Sequence, residues 1–378
     1  MKKLKNLSKK VVYSAYAYMM YRIYRNINKN NLSRLGIKNK PVEGEEEYIR
    51  KWSVFNNRVE PYSYRFLSRF MGHNPNIIPE DIGHVFIENI LNPCRFRSYY
   101  SDKNFLDIIY GKHVMPKTFL RRIHHSKICD QDYQIVDVER TIEQLNASKV
   151  QKLIVKPSID TDSGIGVRLL TRDGDGFKDV ESKQILSEEY LYNFGGDFIL
   201  QEALAQSPYI SQFNRSSANT FRIATYRSVS DEEVHVTGSY LRIGKEGQFV
   251  DNAHAGGVFV EVNTKTGEVG KYVMNHHGYT FTECNGIDFS QSNFVIPNWD
   301  TVIEFSKYIG KCNHHCRFLA LDVALDENNQ PKLIECNVSG FAFWSFMYIN
   351  QNPFGEFTDE IINHCLKYKD ELSNIKMF

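Results

Sequence analysis

The first ninety residues place apolar and polar positions with the period of a helix. Leu4, Leu7, Val11 and Tyr18 recur at helical spacing with lysines between them. A second helix is predicted from the acidic cluster at Glu43 to Glu47 through Arg58, and a third from Tyr62 to Met71 behind Pro61. Pro79-Glu80-Asp81 suits a first turn, where proline sacrifices no hydrogen bond and acids meet the positive end of the dipole. That helix is expected to reach about Asn89, before Asn92-Pro93 breaks the chain. From about Arg95 strands mix with helices. Leu153 to Lys156 and Phe198 to Gln201 are short β-rich runs. Phe221 to Arg227, Val234 to Ile243, Val258 to Val262 and Glu268 to Tyr272 read as antiparallel strands with turn residues between them. Helices are expected over Trp299 to Cys316 and Phe357 to Lys369. Between them, Phe318 to Leu325 and Pro331 to Cys336 flank a turn at Asp326 to Gln330. Helices early and strands late favour α+β over a doubly wound sheet.

Composition changes this picture little, and charge changes it more. Of 378 residues, 42% are hydrophobic and 24% charged, which excludes a wholly disordered or fibrous chain. The formal net charge of +1 is unevenly spread. Residues 1–40 hold eleven basic side chains and no acid, and the remainder carries 35 basic and 45 acidic groups, a net of −10. The basic arm is read either as an amphipathic helix on an anionic membrane surface or as a helix packed on its own body with a solvated basic face. Its uncharged run from Val11 to Tyr21 has eleven residues, whereas a spanning helix needs roughly 20. The seven scattered cysteines, Cys94, Cys129, Cys284, Cys312, Cys316, Cys336 and Cys365, suit free thiols in a reducing cytosol better than a disulfide framework.

Two segments carry candidate chemistry. In the first, the apolar strand Leu153-Ile-Val-Lys156 runs into Pro157-Ser158-Ile-Asp-Thr-Asp-Ser163-Gly164-Ile-Gly166. Glycines let backbone N–H groups approach a phosphate, and the lysine adds a point charge. A tight hairpin with a surface lysine is the alternative. In the second, Asp322 lies inside the apolar run Ala320 to Ala324, and Glu335 and Asn337 are two apart in Leu333 to Asn337. Spacing by two puts Glu335 and Asn337 on one strand face. A hairpin would bring Asp322 to them, giving hard oxygen ligands suited to Mg²⁺. The alternative is a pair of acids satisfied by core arginines.

Together these segments resemble the ATP-grasp superfamily. Asp102-Lys103 resembles its first phosphate lysine, and Ile199-Leu200-Gln201-Glu202-Ala203-Leu204 its adenine-reading hinge. Asn219-Thr220-Phe221-Arg222, Tyr240-Leu241-Arg242 and Asp251-Asn252-Ala-His254-Ala-Gly256-Gly257 are similar to the RimK-type amino-acid ligase pattern. With Asn92-Pro93 and Pro157-Ser158, the set looks most like the sugar-transfer-associated ATP-grasp group, related to α-L-glutamate ligases and to bacterial surface-polysaccharide biosynthesis. The resemblance covers about residues 60–355.

It implies an ATP-grasp fold of two α+β subdomains clasping ATP. The expected divisions are a basic arm at 1–40, a helical region at 41–93 and an ATP-grasp domain at 94–378. In that domain the nucleotide flap falls at about 150–205 and a metal-binding subdomain at about 206–355. ATP would be held by Lys103, Lys156, Ser158, Ser163, Gly164, Gly166, Gln201, Glu202, Leu204, Asn252, Gly256 and Gly257. One or two Mg²⁺ would bind Asp322, Glu335 and Asn337. Substrate would meet Asn219, Asp251 and His254, and the catalytic arginine is Arg222 or Arg242. The implied reaction joins a carboxylate, on a sugar or glycan precursor, to an amino acid or amine through an acyl phosphate. Rival readings are a phosphotransferase acting on a sugar or small molecule and a non-catalytic nucleotide-binding scaffold of a glycan assembly complex. A cytoplasmic enzyme, peripheral at the inner membrane face through residues 1–40, is expected.

Other motifs receive structural readings beside functional ones. Cys312-Asn-His314-His315-Cys316 invites zinc but has no second ligand pair. His124-His125 and His276-His277 suit loops. Phe341, Phe343, Trp344, Phe346 and Tyr348 suit either an aromatic core or a sugar-stacking wall. Tyr13, Tyr16, Tyr21 and Tyr24 among basic residues hint at nucleic acid without any accompanying RNA-binding signature; nucleic acid is not expected as a partner.

Overall fold

The computed structural model describes residues 2–159, 164–247 and 256–374. Six strands form a first sheet: β1 (Thr118–Arg122), β2 (Cys129–Asp130), β3 (Lys152–Pro157), β4 (Arg168–Asp173), β5 (Gly176–Asp179) and β6 (Phe198–Glu202). Their spatial order is β2-β1-β6-β3-β4-β5. The second sheet contains β7 (Thr220–Arg227), β8 (Val234–Ile243), β9 (Val258–Val262), β10 (Val269–Met274) and β11 (Thr280–Phe281). After a small hairpin of β12 (Glu283–Cys284) and β13 (Ile287–Asp288), it is completed by β14 (Phe318–Leu325) and β15 (Pro331–Asn337). The order there is β11-β10-β9-β8-β7-β14-β15. The β14–β15 turn forms as predicted, with Asp326 Oδ1 accepting from the N–H groups of Asn328 and Gln330.

Each face of the second sheet has its own core. Ile223, Leu241, Val260, Leu321 and Val323 pack with Trp299, Val302 and Ile309 of the Trp299–Cys312 helix. On the opposite face, Ala224, Tyr226, Tyr240, Phe318 and Ala320 share a core with Trp52, Tyr64, Phe66, Ile82 and Phe86 from the N-terminal helices. The first sheet is backed by Ile142, Leu145 and Leu191 from helices Val138–Asn146 and Glu188–Phe194. The Trp299 helix stops four residues short of the predicted Cys316. Asn313 ends it, its amide donating to Ile309 O and to the Tyr110 hydroxyl. The helix expected over 43–58 spans only Glu45–Trp52. Gly44 enters it in the left-handed conformation, and the Trp52 indole N–H donates to Pro75 O where the chain turns.

Helix α1 (Lys2–Arg34) runs for 33 residues. It is apolar on two sides. Ala17 and Leu32 are buried in the core beside the N-terminal helices, with Tyr13, Tyr16 and Met20 packed against them. Val11 and Tyr18, two positions of the predicted stripe, face outward instead. The side chains of the other two, Leu4 and Leu7, lie outside the described residues. Among the described residues no helix is long and apolar enough to cross a membrane.

The next part of the helical region contains a buried charge network. Segments Glu80–Ile82, Gly83–Ile87 and Glu88–Leu91 follow one another, the middle one a π turn. Gly83 lies against the Phe343 ring, where a Cβ would come within 2.6 Å. The widened turn places His84 between two acids, with Nε2 3.0 Å from Glu80 and Nδ1 2.8 Å from Glu88. Tyr24 of α1 stacks on its ring. The same acids accept from the backbone N–H groups of Trp344 and Gly340, just beyond β15. Burial alone would lower the His84 pKa. The hydrogen bonds and charges of Glu80 and Glu88 overrule it and hold the pKa up at about 10.

His84→Ala leaves buried Glu80 without its cation and Glu88 with Arg97 alone, and should cost about 3 kcal/mol of stability. Because the folded pKa lies above the ordinary 6.5, this contribution is complete below pH 6.5 and fades as pH rises through about 10. Urea unfolding at pH 6, 8 and 10 should show that decline in the wild type and a flatter profile in the variant.

Candidate active site

Asp322 lies in the middle of β14, all eight residues of which are buried. A lone carboxylate there would be prohibitively costly. Arg222 on β7 is its register partner and bonds it twice, Nε to Oδ1 at 2.5 Å and Nη2 to Oδ2 at 3.1 Å. Arg242 on β8 adds Nη1 to Oδ2 at 3.0 Å. Burial pushes the Asp322 pKa up, but the two guanidinium charges overrule it and hold it below the usual carboxylate value. The arginine alternative for this acid is therefore realised.

Glu335 faces Asp322 across the β14–β15 ladder, and its Oε1 takes the Lys103 ammonium at 2.8 Å. Cys336 is fully buried between Glu335 and Asn337, as alternation requires. The Asn337 amide N–H donates to Ala320 O at 3.0 Å, leaving its amide oxygen as an acceptor. Lys156 ends β3 and is buried. Burial first, then the neighbouring Lys103 charge, lower its pKa to about 8, against the pull of Glu335 and Asp322. Lys103 is itself held in place, its N–H donating to Ser158 O at 3.0 Å, while Ser158 N–H donates to Asp197 O.

These groups meet at one end of a cavity of about 190 Å³ between the two sheets. Lys103, Lys156, Arg242, Asp322 and Glu335 line the charged end. Ile154, Val167, Ile334 and Pro116 supply apolar walls, and Gln201, Glu202 and Leu204 line the cavity from β6 and its exit. Gly164 also lines it.

The profile of the sugar-transfer associated ATP-grasp family matches residues 86–353, well over half of the sequence. The chain belongs to that family. No curated protein matches it. Solved structures match part of the chain at low identity. A structure of the ATP-grasp ligase PsnB with Mg and ADP is 12% identical over 73% of this chain and 61% of its own, with a TM-score of 0.37. D-cycloserine synthetase DcsG is 11% identical over 76% and 74%, TM-score 0.39. VanG D-Ala:D-Ser ligase from Enterococcus faecalis is 12% identical over 70% and 61%, TM-score 0.40. The match thus spans less than two thirds of PsnB.

Within this ATP-grasp chain the other predicted site residues fall in different places. Ser158 is fully buried at the base of the flap. Gly164 and Gly166 have φ of 72° and 78°, and a Cβ on Gly166 would come within 2.9 Å of Pro157 Cγ. Gln201 commits its amide to Pro116 O and Thr118 Oγ1. Arg222 stands behind Asp322 and is not among the cavity-lining residues. Asn219 also lies off the cavity, between its lining residues Ala218 and Thr220. Its amide donates to Gln206 Oε1, Ile210 O and Asn214 O, which pins the 206–219 loop. Gly256 has φ of 90° and Gly257 is buried. Ser163, Asp251, Asn252 and His254 lie outside the described residues.

The aromatic segment after β15 is mostly core. Phe341, Phe343, Phe346 and Tyr348 are buried, and Trp344 is half-buried against Tyr348 and Phe259. His315 stacks on Phe96, and no disulfide forms among the described residues. Sequence reasoning missed Arg121. Fully buried, it bonds Asn104 O at 2.5 Å and Asp107 at 2.7 Å, and so fixes the segment after Lys103. It also missed the apolar walls, which look like any other strand residue.

An Mg²⁺ ion fits the oxygen donors present. A carboxylate offers about four lone-pair positions, and the arginines use three on Asp322. Glu335 and the Asn337 amide oxygen complete a set that would share the ion with phosphate rather than cage it.

Two outcomes are expected. ATP affinity should weaken roughly tenfold from pH 7 to pH 9 as Lys156 loses its charge above about 8; titration calorimetry at both values checks this. Gly166→Ala should cost about 1–2 kcal/mol, the left-handed penalty for a residue with a Cβ, seen as a lowered melting temperature of the unliganded protein.

Proposed function

We propose that this protein is an ATP-dependent carboxylate–amine ligase. It acts on a carboxylate carried by a sugar or glycan precursor, in surface-polysaccharide biosynthesis, and operates at an anionic membrane face through residues 1–40. The observation that carries the chemistry is the charge balance of the site. Four cations, Lys103, Lys156, Arg222 and Arg242, surround two acids, Asp322 and Glu335. Lys103, Lys156 and Arg242 line the cavity beside Asp322, Glu335 and Glu202, and cations placed among hard oxygen donors suit a polyphosphate carried with a divalent ion better than a bare metal. Family membership supports the same nucleotide.

In this reading Lys103 and Lys156 hold phosphate oxygens, and the flap from Ser158 to Gly166 excludes water. Asp322, Glu335 and Asn337 hold Mg²⁺, which when bound neutralises phosphate charge. A substrate carboxylate oxygen attacks the γ-phosphorus and ADP leaves. The amine nitrogen then attacks the acyl carbon, phosphate leaves, and the amine gives up a proton. Positioning and charge neutralisation carry such a transfer. Arg242 lines the cavity, so it is assigned the developing charge on the transferred group and the tetrahedral intermediate. Arg222 orients Asp322 from behind.

The test is product analysis with ATP, Mg²⁺, uronic acids and an amino-acid pool. The expected products are ADP, free phosphate and an amide seen by mass spectrometry. A stable phosphoester without free phosphate would establish the phosphotransferase instead, and nucleotide binding without turnover would favour the scaffold. Lys156→Ala and Glu335→Ala should each abolish ATP turnover, and full activity in either refutes the assignment.

A further inference from the structure

Helix α1 has a second apolar side that stays largely exposed. Val11, Val12, Tyr18, Met19, Ile23 and Ile27 are 43–62% exposed. At 3.6 residues per turn, Val12, Met19 and Ile23 form one line, and Val11 and Tyr18 form the next. Arg22 and Lys29 continue that second line, so cations interleave with the apolar groups. Long basic side chains placed this way can lay their stems on an apolar phase while their charges reach an anionic interface. From Val11 to Lys29 this face extends over about 28 Å of the helix.

A separate observation lies at its edge. Between α1 and the body is a groove of about 390 Å³ with Phe55 and Phe86 in its floor and Lys10, Arg58 and Lys369 at its rim. Among the described residues Asp370 is the one acid lining it. The Arg58 guanidinium sits 4.9 Å over the Tyr18 ring, and Lys369 sits 5.8 Å from the Phe86 ring. Three cations above an aromatic floor fit a phosphate headgroup with an apolar tail beneath it. They fit a nucleic acid poorly, since the exposed groups of the stripe are chiefly aliphatic and offer little for bases to stack on.

We infer that the outward face of α1 lies flat on an anionic lipid surface, with one phospholipid headgroup seated in the Lys10–Arg58–Lys369 groove. This deepens the membrane part of the proposed function and rests on it, not on the ligase chemistry. The bilayer takes the stripe, the groove selects anionic headgroups, and the two meet along α1 at Tyr18, which belongs to both.

The test is flotation of the full chain with vesicles of pure phosphatidylcholine or with 30% phosphatidylglycerol. Two variants accompany it: Val12→Asp/Met19→Asp/Ile23→Asp in the stripe, and Lys10→Glu/Arg58→Glu in the groove. The wild type should bind the anionic vesicles at least tenfold more tightly than the neutral ones, with the preference reduced in 0.5 M salt. Each variant should lose about tenfold or more in affinity while keeping the wild-type melting temperature and ATP binding. If the wild type binds anionic vesicles and both variants bind as well, this face is wrong and the peripheral reading survives. If the wild type binds neither vesicle, both fall. A dimer seen by light scattering, dissolved by the stripe variant and without vesicle binding, would assign the face to a second copy. Tight binding of a 20-nucleotide oligomer that abolishes flotation would assign it to nucleic acid.

Discussion

The structure turns on one buried carboxylate. Asp322 lies in a strand with no exposed residue, between β7 and β15. Its desolvation is offset by three hydrogen bonds from two arginines on the next two strands. Removing either partner would leave an uncompensated charge in the sheet. The requirement therefore ties the register of β7, β8 and β14 together, and through the β14–β15 hairpin it sets where Glu335 stands. Arg242 lines the cavity beside Lys103 and Lys156, so the arrangement that neutralises Asp322 also carries positive charge to the cavity wall. One interaction thus ties the sheet register to the charged end of the cavity.

The two sheets divide the remaining work. The first supplies Lys156 and much of the apolar wall, with Lys103 held at its edge by Arg121 and Ser158. The second supplies the acids and arginines. The N-terminal helices pack against the same face of the second sheet that carries Asp322, so the core and the charged site are successive parts of one surface. Their polar network reaches further. Tyr24 stacks on His84, His84 pairs with Glu80 and Glu88, and those acids hold the N–H groups of Trp344 and Gly340. The loop leaving the Glu335 strand is therefore anchored by the helical region.

Legibility in the sequence followed the range of the interactions. The β14–β15 hairpin was readable because its alternation and its Asp326 turn are local. Lys103, Lys156, Gly164, Glu202, Leu204, Asp322 and Glu335 were readable because each belongs to a short ordered motif, and the structure lines one cavity with them. The choice between Arg222 and Arg242 was not readable, since both sit at equivalent strand positions and only the packing puts one in front of Asp322 and the other behind. Arg121 carries no motif, and its partners Asn104 and Asp107 lie 17 and 14 residues away. The Asn219 amide was read as facing substrate, and in the structure it fastens a loop.

The first helix illustrates a different limit. Its apolar residues suit a single amphipathic stripe when counted along the chain, and they divide into two when the body is present. One set is consumed by the core, and the other is left over with Arg22 and Lys29 among it. This matters because the rest of the chain, with a net of −10, is repelled by the kind of surface that attracts the arm. At physiological ionic strength that repulsion fades over about 8 Å, and a helix with its side chains is about 10 Å thick. In the proposed orientation α1 is therefore both the attachment and the spacer. It carries nine of the arm's eleven cations and puts its own thickness between most of the acidic body and the lipid. The uneven charge that sums to +1 is what such a geometry requires, and a uniformly neutral chain would gain nothing from it.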